Sequence, residues 1–280
     1  MKKNNLLTQK PKELLKDFIK NYSNEYDVDN DFSINLINDC IKHYNGKQEA
    51  PIYLKKLMDE WYNGVKDVED NNATEFNYNV YNDKYYFATD LWPCFILYSR
   101  KYILGIIKNN IISEKIKNCN SIIDLGCGLG YSTAMLKQLY PDKEVIGTNI
   151  KGTEQYNFCK SMSKIYNFKI VESEHALDKD VDVVFASEYF EHIFDAPINI
   201  QLLIEKLNPK YLLLANTFSQ KSVGHFNYYR FRNYENKLLQ FADIKKISKI
   251  FINTLKRLVY KSIKTGLWNN RPNFWSKNES

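Results

Sequence analysis

Several features that mark whole classes of protein are missing from this 280-residue sequence. Its five cysteines form no Cys-x-x-Cys pair, so neither a disulfide framework nor a thiolate zinc site is indicated. No run of residues approaches the roughly 20 apolar residues of a membrane span. The basic first residues are followed by only two consecutive apolar residues, which argues against a signal peptide. We therefore expect a protein of the reducing cytoplasm with no membrane span.

The composition that remains is that of an ordinary globular protein, with 44% hydrophobic and 26% charged residues. The net charge of +6 is concentrated near the end, where residues 230–280 carry 12 lysines and arginines against three acidic residues. Basic patches attract nucleic acid, whereas a charge-rich amphipathic helix is more often a solvated face. The charge alone therefore leaves a nucleic-acid partner as an open alternative.

The first third of the chain has apolar residues at helical spacing, which predicts several helices. An Asn- and acid-rich stretch at 63–75 predicts a loop, and the alternation at 76–88 predicts a hairpin. We place a boundary near residue 90, which gives an N-terminal helical cap (1–90) and a second domain (91–280). The aromatic end of this cap offers a wall over a substrate, with core packing as the alternative role of each ring. The rings in question are Tyr85, Tyr86, Phe87 and Trp92.

Beyond residue 90, short apolar runs alternate with segments of helical periodicity. This alternation predicts a doubly wound, mostly parallel Rossmann-like α/β fold beside the helical cap. Near the end, a predicted helix at 242–255 precedes a Thr265-Gly266 break that would join two antiparallel strands. The predicted strands are 121–125, 144–148, 169–171, 181–186 and 211–215, and the predicted helices between them include 133–140, 155–166 and 198–207.

The stretch "SIIDLGCGLGYST" predicts a strand ending in Asp124, a glycine turn and a helix. Glycine at Gly126, Gly128 and Gly130 lets the backbone turn tightly and approach a ligand with no Cβ in the way. A dinucleotide fingerprint would need Gly or Ala at the position of Tyr131, and the Lys and Ser/Thr of a phosphate loop are absent. NAD and ATP are therefore disfavoured as ligands.

The Asp-x-Gly-x-Gly-x-Gly pattern resembles motif I of class I methyltransferases that use S-adenosylmethionine (SAM), and the resemblance covers roughly residues 95 to 280. It implies that SAM is the cofactor and that the loop lies against its methionine end. It also implies an acidic ribose ligand after the second strand, where this sequence has Asn149. An Asn side chain can donate to one hydroxyl and accept from another, but it brings no charge. The residues implied to contact SAM are Asp124, Gly126, Cys127, Gly128, Gly130, Asn149, Ser173, Glu174 and Ser187.

The segment "ASEYFEHIFDA" follows the fourth predicted strand, at the edge where open α/β sheets bind ligands. If it begins a helix, Glu188, Glu191 and His192 project to one side, an arrangement that suits a shared divalent ion. His225 follows the fifth strand, whose end lies beside that of the fourth. Carboxylates in a first helical turn also favour the helix dipole without any metal. The residues themselves leave both interpretations open.

Glu-x-x-Glu-His followed by a distant His is similar to the divalent-metal site of small-RNA 2′-O-methyltransferases and ubiquinone-pathway O-methyltransferases. This resemblance implies Glu188, Glu191, His192 and His225 as ligands of Mg²⁺ or Mn²⁺. Without a metal, His192 or His225 is the expected general base, and Glu191 is counted with them as a catalytic residue.

These patterns predict a SAM-dependent methyltransferase that acts on a hydroxyl oxygen of a small molecule. One alternative is an RNA ribose 2′-O-methyltransferase that uses the basic C-terminal region for phosphates. A further alternative, prompted by Asn149, is a SAM-binding module that has lost catalysis.

Overall fold

The computed structural model describes residues 5–65, 78–173, 176–177, 179–233, 238–265 and 274–278. Its α-helices are α1 (Pro11–Tyr26), α2 (Asn30–Tyr44), α3 (Ile52–Gly64), α4 (Tyr86–Trp92), α5 (Lys101–Lys108), α6 (Asn110–Lys117), α7 (Tyr131–Leu139), α8 (Glu154–Tyr166), α9 (Ala196–Leu207) and α10 (Ile244–Arg257). Its strands are β1 (Ser121–Leu125), β2 (Glu144–Thr148), β3 (Lys169–Val171), β4 (Val183–Ser187), β5 (Tyr211–Ala215), β6 (Tyr228–Asn233), β7 (Leu238–Asp243), β8 (Tyr260–Ile263) and β9 (Phe274–Lys277). Short 3₁₀ helices lie at Tyr78–Asn82 and Phe190–His192.

Seven strands form one twisted sheet in the order β3-β2-β1-β4-β5-β9-β8. The first five strands are parallel, and β9 runs antiparallel to both β5 and β8. Every residue of β1 is buried, as expected of a parallel strand that is covered on both faces. The strand order reverses between β1 and β4, and their carboxyl ends leave a crevice there. The predicted doubly wound, mostly parallel class is confirmed.

Two layers of helix cover this sheet. One hydrophobic cluster joins the cap to the core, because Leu14 of α1 and Phe87 of α4 belong to the same packed group as Ile122 of β1. A second cluster lies on the other face, where α9 and α10 pack on β4 and β5. Trp61 of α3 also belongs to this second cluster. The cap is therefore fixed to the core from both sides of the crevice.

Helix runs without a break from residue 86 to residue 108, through α4, a π-helical stretch at Pro93–Arg100 and α5. Proline has no N–H to donate, and the wider π turn begins at Pro93. This helix crosses the predicted boundary near residue 90, and the division into two domains stays a prediction.

Three sequence predictions fare differently in the segments outside the main sheet. The hairpin predicted at 76–88 is wrong, because the described part is a 3₁₀ helix followed by α4, whose Tyr86 and Phe87 are buried. The antiparallel closing strands near the end are confirmed as β8 and β9. The β6–β7 ribbon was not predicted. Of the loop predicted at 63–75, the first two residues belong to the end of α3, and residues 66–75 lie outside the described residues. None of the described helices is both long and apolar enough to cross a lipid bilayer.

Candidate active site

A cavity of about 500 Å³ lies between the carboxyl ends of the central strands and the N-terminal cap. It extends from the glycine loop to a pair of histidines, His192 and His225. Its place at the switch point of the sheet is where doubly wound folds bind ligands. Tyrosines of the cap and of the π-helical stretch form much of the opposite wall: Tyr44, Tyr78, Tyr81, Tyr86 and Tyr98.

The glycine loop adopts the left-handed backbone that only glycine accepts readily. Gly126, Gly128 and Gly130 have φ values of +59°, +52° and +82°. A Cβ at Gly126 would overlap the ring of Tyr189, whereas one at Gly128 would meet nothing closer than the Cys94 Sγ, 3.8 Å away. Gly126, Cys127 and Gly128 therefore border the cavity. Gly130 does not, and its φ serves the turn into α7.

Asp124 is buried behind the glycine loop and does not line the described cavity. Its buried Oδ2 accepts hydrogen bonds from the hydroxyls of Ser132 and Thr133, both at 2.6 Å, which tie the end of β1 to the first turn of α7. Burial raises the pKa of Asp124 to about 7, although the two hydroxyl donors act in the opposite direction. Direct contact of Asp124 with SAM, as predicted, is not supported by this placement.

Replacing Asp124 with asparagine is expected to flatten the pH dependence of stability. Its ordinary pKa is 3.8 and its folded pKa is about 7, so between these values the folded state holds a proton that the unfolded state releases. The free energy of unfolding should then fall as pH rises through this window, by up to about 1.4 kcal/mol per pH unit from this group. Denaturant titrations of both proteins at about pH 4.5 and about pH 6.5 give the free energies of unfolding that check this. An equal change in that free energy between the two pH values in both proteins would contradict it.

Asn149 follows β2, as predicted, and its amide is engaged with the backbone at both ends. The Nδ2 donates to the Gly128 carbonyl at 2.6 Å, and the Oδ1 accepts from the Ile150 N–H at 2.9 Å. Each end has one hydrogen-bonding position left, since an amide NH₂ donates twice and a carbonyl oxygen accepts twice. Asn149 lines the cavity, so its contact with ribose stays a prediction.

Two of the three serine and glutamate positions predicted to contact SAM line the cavity. Ser187, at the end of β4, has a buried Oγ without a hydrogen-bond partner, which leaves it available to a ligand. Ser173 borders the cavity beyond β3. Glu174 lies outside the described residues.

Glu188 is held in a strained backbone conformation at the mouth of β4. Its φ is +50°, a left-handed value that is uncommon for a residue other than glycine, and its N–H donates to the Ala215 carbonyl at 2.7 Å. The side chain borders the cavity, where its Oε1 accepts from the Tyr102 hydroxyl at 3.1 Å. In this conformation the Glu188 carboxylate meets Tyr102 of α5.

Glu191 lies beneath the cavity, with none of its surface exposed. Its Oε1 accepts from the Thr217 N–H at 2.7 Å, and its carboxyl also contacts that of Glu188. Burial, together with the Glu188 charge, raises the pKa of Glu191 well above its ordinary value, which favours the protonated carboxyl. Glu191 is absent from the described cavity lining, and its predicted catalytic role is not supported by this placement.

His192 and His225 meet edge to face, with ring centroids 4.5 Å apart. Their Nδ1 atoms are engaged by the protein: that of His192 lies 3.1 Å from the Tyr81 hydroxyl, and that of His225 lies 2.7 Å from the Gln220 carbonyl. A Cβ at Gly224 would overlap Tyr81 and His192, so glycine permits this contact. Burial lowers the pKa of His192 well below 6.5 and that of His225 to about 4. Both rings are therefore neutral at neutral pH, with Nε2 left as the atom that can face a ligand.

The predicted metal site is not supported. Among the residues that the structure describes, no three His, Cys, Asp or Glu side chains are placed to hold a metal ion. Glu188, Glu191, His192 and His225 are neighbours, but one donor atom of each already contacts a protein group: Tyr102, Thr217, Tyr81 and Gln220 respectively. The raised pKa of Glu191 also opposes metal binding, because a carboxyl group must lose its proton to bind a metal. The set therefore does not fit Mg²⁺ or Mn²⁺ in this arrangement.

Several cavity residues were missed by the sequence predictions. Asp90 and Tyr81 come from the cap, Gln155 from the start of α8, and Arg230 from β6. Asp90 had one usable signal, because it is a lone acid within the apolar run "FATDLW". Of the predicted aromatic wall, Tyr86 lines the cavity, whereas the Phe87 side chain lies fully in the core. Tyr85 and Trp92 are not among the described lining residues.

Comparisons with known proteins agree with this geometry. Residues 100–254, more than half of the chain, match the family described as "Methyltransferase domain". A malonyl-[acyl-carrier protein] O-methyltransferase of Acetivibrio thermocellus is 27% identical over 111 residues, which cover 38% of this chain and 39% of that protein. The match thus spans about two fifths of the length of this curated relative.

Two solved structures resemble the fold at low identity. An O-methyltransferase family protein from Burkholderia thailandensis is 11% identical, with 80% of this chain and 71% of that chain covered and a TM-score of 0.48. The sugar N-methyltransferase KedS8 from a Streptoalloteichus species is 12% identical, with 64% and 87% covered and a TM-score of 0.45. With TM-scores below 0.5, neither structure bears on what this chain acts on.

The family match covers the glycine loop, the ends of β2 and β4, and both histidines. It confirms the class that the glycine motif predicted, a SAM-dependent methyltransferase. This chain belongs to the methyltransferase domain family.

Proposed function

We propose that this chain transfers the methyl group of SAM to a hydroxyl oxygen of a small-molecule acceptor. The observation that carries the proposal is the continuity of the cavity, which joins the glycine loop to the neutral His192–His225 pair beneath the cap. A donor on the loop and an acceptor at the histidines would share one cavity. A shared cavity favours methyl transfer, because the reaction depends on alignment and on exclusion of water.

The residues divide the work between the two ends of the cavity. SAM supplies an electrophilic methyl group, and the acceptor oxygen forms its bond to that carbon as the carbon–sulfur bond breaks and leaves its electron pair on sulfur. His192 accepts the hydroxyl proton at Nε2, since burial keeps its imidazole unprotonated. Tyr81 and His225 hold the ring in place. No step passes through a metal.

The distribution of basic residues favours a small acceptor over RNA. Among the described residues that line the cavity, Arg230 is the only lysine or arginine, and it pairs with Asp195 at 3.4 Å. The basic residues of α10 are exposed to solvent on a helix that packs against α9 and the β6–β7 ribbon. A ribose methyltransferase would need basic side chains along the approach to the site.

The proposal predicts turnover that does not depend on ionic strength. Purified protein is incubated with SAM and either a panel of hydroxylated small molecules or short RNAs, and formation of S-adenosylhomocysteine (SAH) is measured at about 50 mM and about 200 mM salt. We expect turnover with small hydroxylated molecules and little change in rate with salt. Turnover confined to RNA, with affinity that falls about 10³-fold or more over this salt range, would favour the RNA alternative.

A further inference from the structure

We propose that Asp90 of the cap binds the α-ammonium group of SAM, so that the donor site is formed jointly by the cap and the core. This inference rests on the proposed function. It assigns a positioning role to a residue that precedes the family match at residues 100–254.

Asp90 is an acid within an otherwise buried helix. Its neighbours in α4, including Phe87, Ala88 and Leu91, are completely buried, whereas Asp90 borders the cavity. Its Oδ2 accepts from the Cys94 thiol at 3.0 Å and from the Gln155 amide at 3.1 Å. These two donors fix the orientation of the carboxylate and leave Oδ1 for a ligand.

The carboxylate has no cation of its own. Among the described residues, no lysine, arginine or histidine lies within ion-pair distance of Asp90. Burial raises the pKa of Asp90 to about 6, against the two hydrogen bonds that lower it. An ionised carboxylate in such a place is stabilised by a ligand that brings a positive charge.

Charge matching identifies that ligand group. Four carboxylates line the described cavity, of which Glu172 pairs with Lys151 at 2.5 Å and Asp195 pairs with Arg230. The remaining two, Asp90 and Glu188, lack a cationic partner among the described residues. SAM carries two cationic centres, the sulfonium and the α-ammonium.

The positions of the two carboxylates in the cavity indicate which cationic centre of SAM each one would bind. Methyl transfer requires the sulfonium to face the acceptor, so it belongs on the side of Glu188, which precedes His192 by four residues at the β4 edge. The ammonium is three carbons from the sulfur and lies farther along the loop. Cys94 links Asp90 to that part of the loop, because its Sγ lies 3.0 Å from Asp90 Oδ2 and 3.8 Å from the place of a Cβ on Gly128.

The test measures binding of four ligands to the native protein and to Asp90→Asn by calorimetry: SAM, SAH, SAH without its amino group, and 5′-methylthioadenosine, which lacks the amino-acid part. We expect Asp90→Asn to weaken the affinity for SAM and for SAH by about tenfold or more. Its effect on the affinity for the other two ligands should be small. In the native protein, loss of the amino group from SAH should weaken binding by a similar factor. In Asp90→Asn that loss should have little effect.

The controls separate the competing outcomes. Asp39→Asn removes an exposed carboxylate of α2 outside the cavity and should bind all four ligands as the native protein does. If Asp90→Asn weakens the affinity for SAM alone, Asp90 lies at the sulfonium. If it weakens the affinity for methylthioadenosine equally, Asp90 lies at the nucleoside. If the affinity for SAM is unchanged, Asp90 has no role in binding. Each of these overturns the inference. Failure of the native protein to bind any of the four ligands would overturn the proposed function instead. If Asp90→Asn does not fold, equal affinity of the native protein for SAH and its deaminated form would still overturn the inference, and Asp90→Glu, which keeps the charge, serves as the second variant.

Discussion

Gly128→Ala is expected to abolish most SAM binding while the protein stays folded. The added Cβ would project toward the cavity, where its nearest protein atom, the Cys94 Sγ, is an ordinary contact distance of 3.8 Å away. The protein therefore accommodates the methyl group, and the donor does not. We expect the dissociation constant for SAM to rise at least about tenfold, a loss of about 1.4 kcal/mol, measured by calorimetry.

Gly152→Ala is the matched control for this change. Gly152 has a φ of +83°, so alanine there carries the same kind of backbone strain, of order 1–3 kcal/mol, yet a Cβ would meet nothing within 4 Å. Both variants should lose similar stability in denaturant titrations, and Gly152→Ala should bind SAM normally. If the two variants bind SAM equally well, the loop does not hold the donor.

His192→Ala is expected to have the largest effect on turnover. Removal of a positioned general base typically costs about 10²–10⁴-fold in rate. We expect kcat to fall in this range, with little change in the KM for SAM, because the donor lies at the other end of the cavity. His192→Gln keeps a polar partner for Tyr81 but cannot take the proton, so it should be equally slow. His43→Ala alters a histidine of α2 outside the cavity and serves as the control.

The same role sets the pH dependence. The active form of His192 is the neutral imidazole, and burial lowers its pKa well below 6.5. This form therefore persists as pH falls through 6.5, and kcat at saturating SAM should stay nearly constant between about pH 6 and about pH 8. A kcat that falls about tenfold per pH unit below 6.5 would show a histidine with an ordinary pKa and contradict the assignment. An unchanged kcat in His192→Ala would do the same.

Much of the sheet was predictable because each buried strand is a run of consecutive apolar residues. β1, β2, β3 and β5 lie where the apolar runs placed them, since strands covered on both faces must be apolar throughout. The ribbon of β6 and β7 was missed because it pairs mostly with itself and has exposed residues such as Tyr228 and Phe241. The hairpin at 76–88 was wrong because alternating aromatics were interpreted as a strand. Packing of Tyr81 against Tyr86 and His192 instead stabilises short helices there.

The site was predictable to a smaller extent. Gly126 and Gly128 were identified from their spacing, because a tight left-handed turn is a local property of the backbone. The clustering of Glu188, Glu191, His192 and His225 was also expected from the adjacent strand ends. Their hydrogen bonds and protonation were not expected, because these depend on partners from elsewhere in the chain. The Thr217 N–H, for example, donates to the Glu191 carboxyl group.

The sequence by itself determined the order of the elements, the glycine turn after β1 and the family to which the chain belongs, since each of these is written in short runs of neighbouring residues. Only the tertiary structure decided which polar groups face the cavity and in which protonation state. Asp90 and His192 are 102 positions apart, and the pKa of each is shifted by burial where the cap packs over the sheet. Desolvation depends on everything packed around a group, and no local pattern records it.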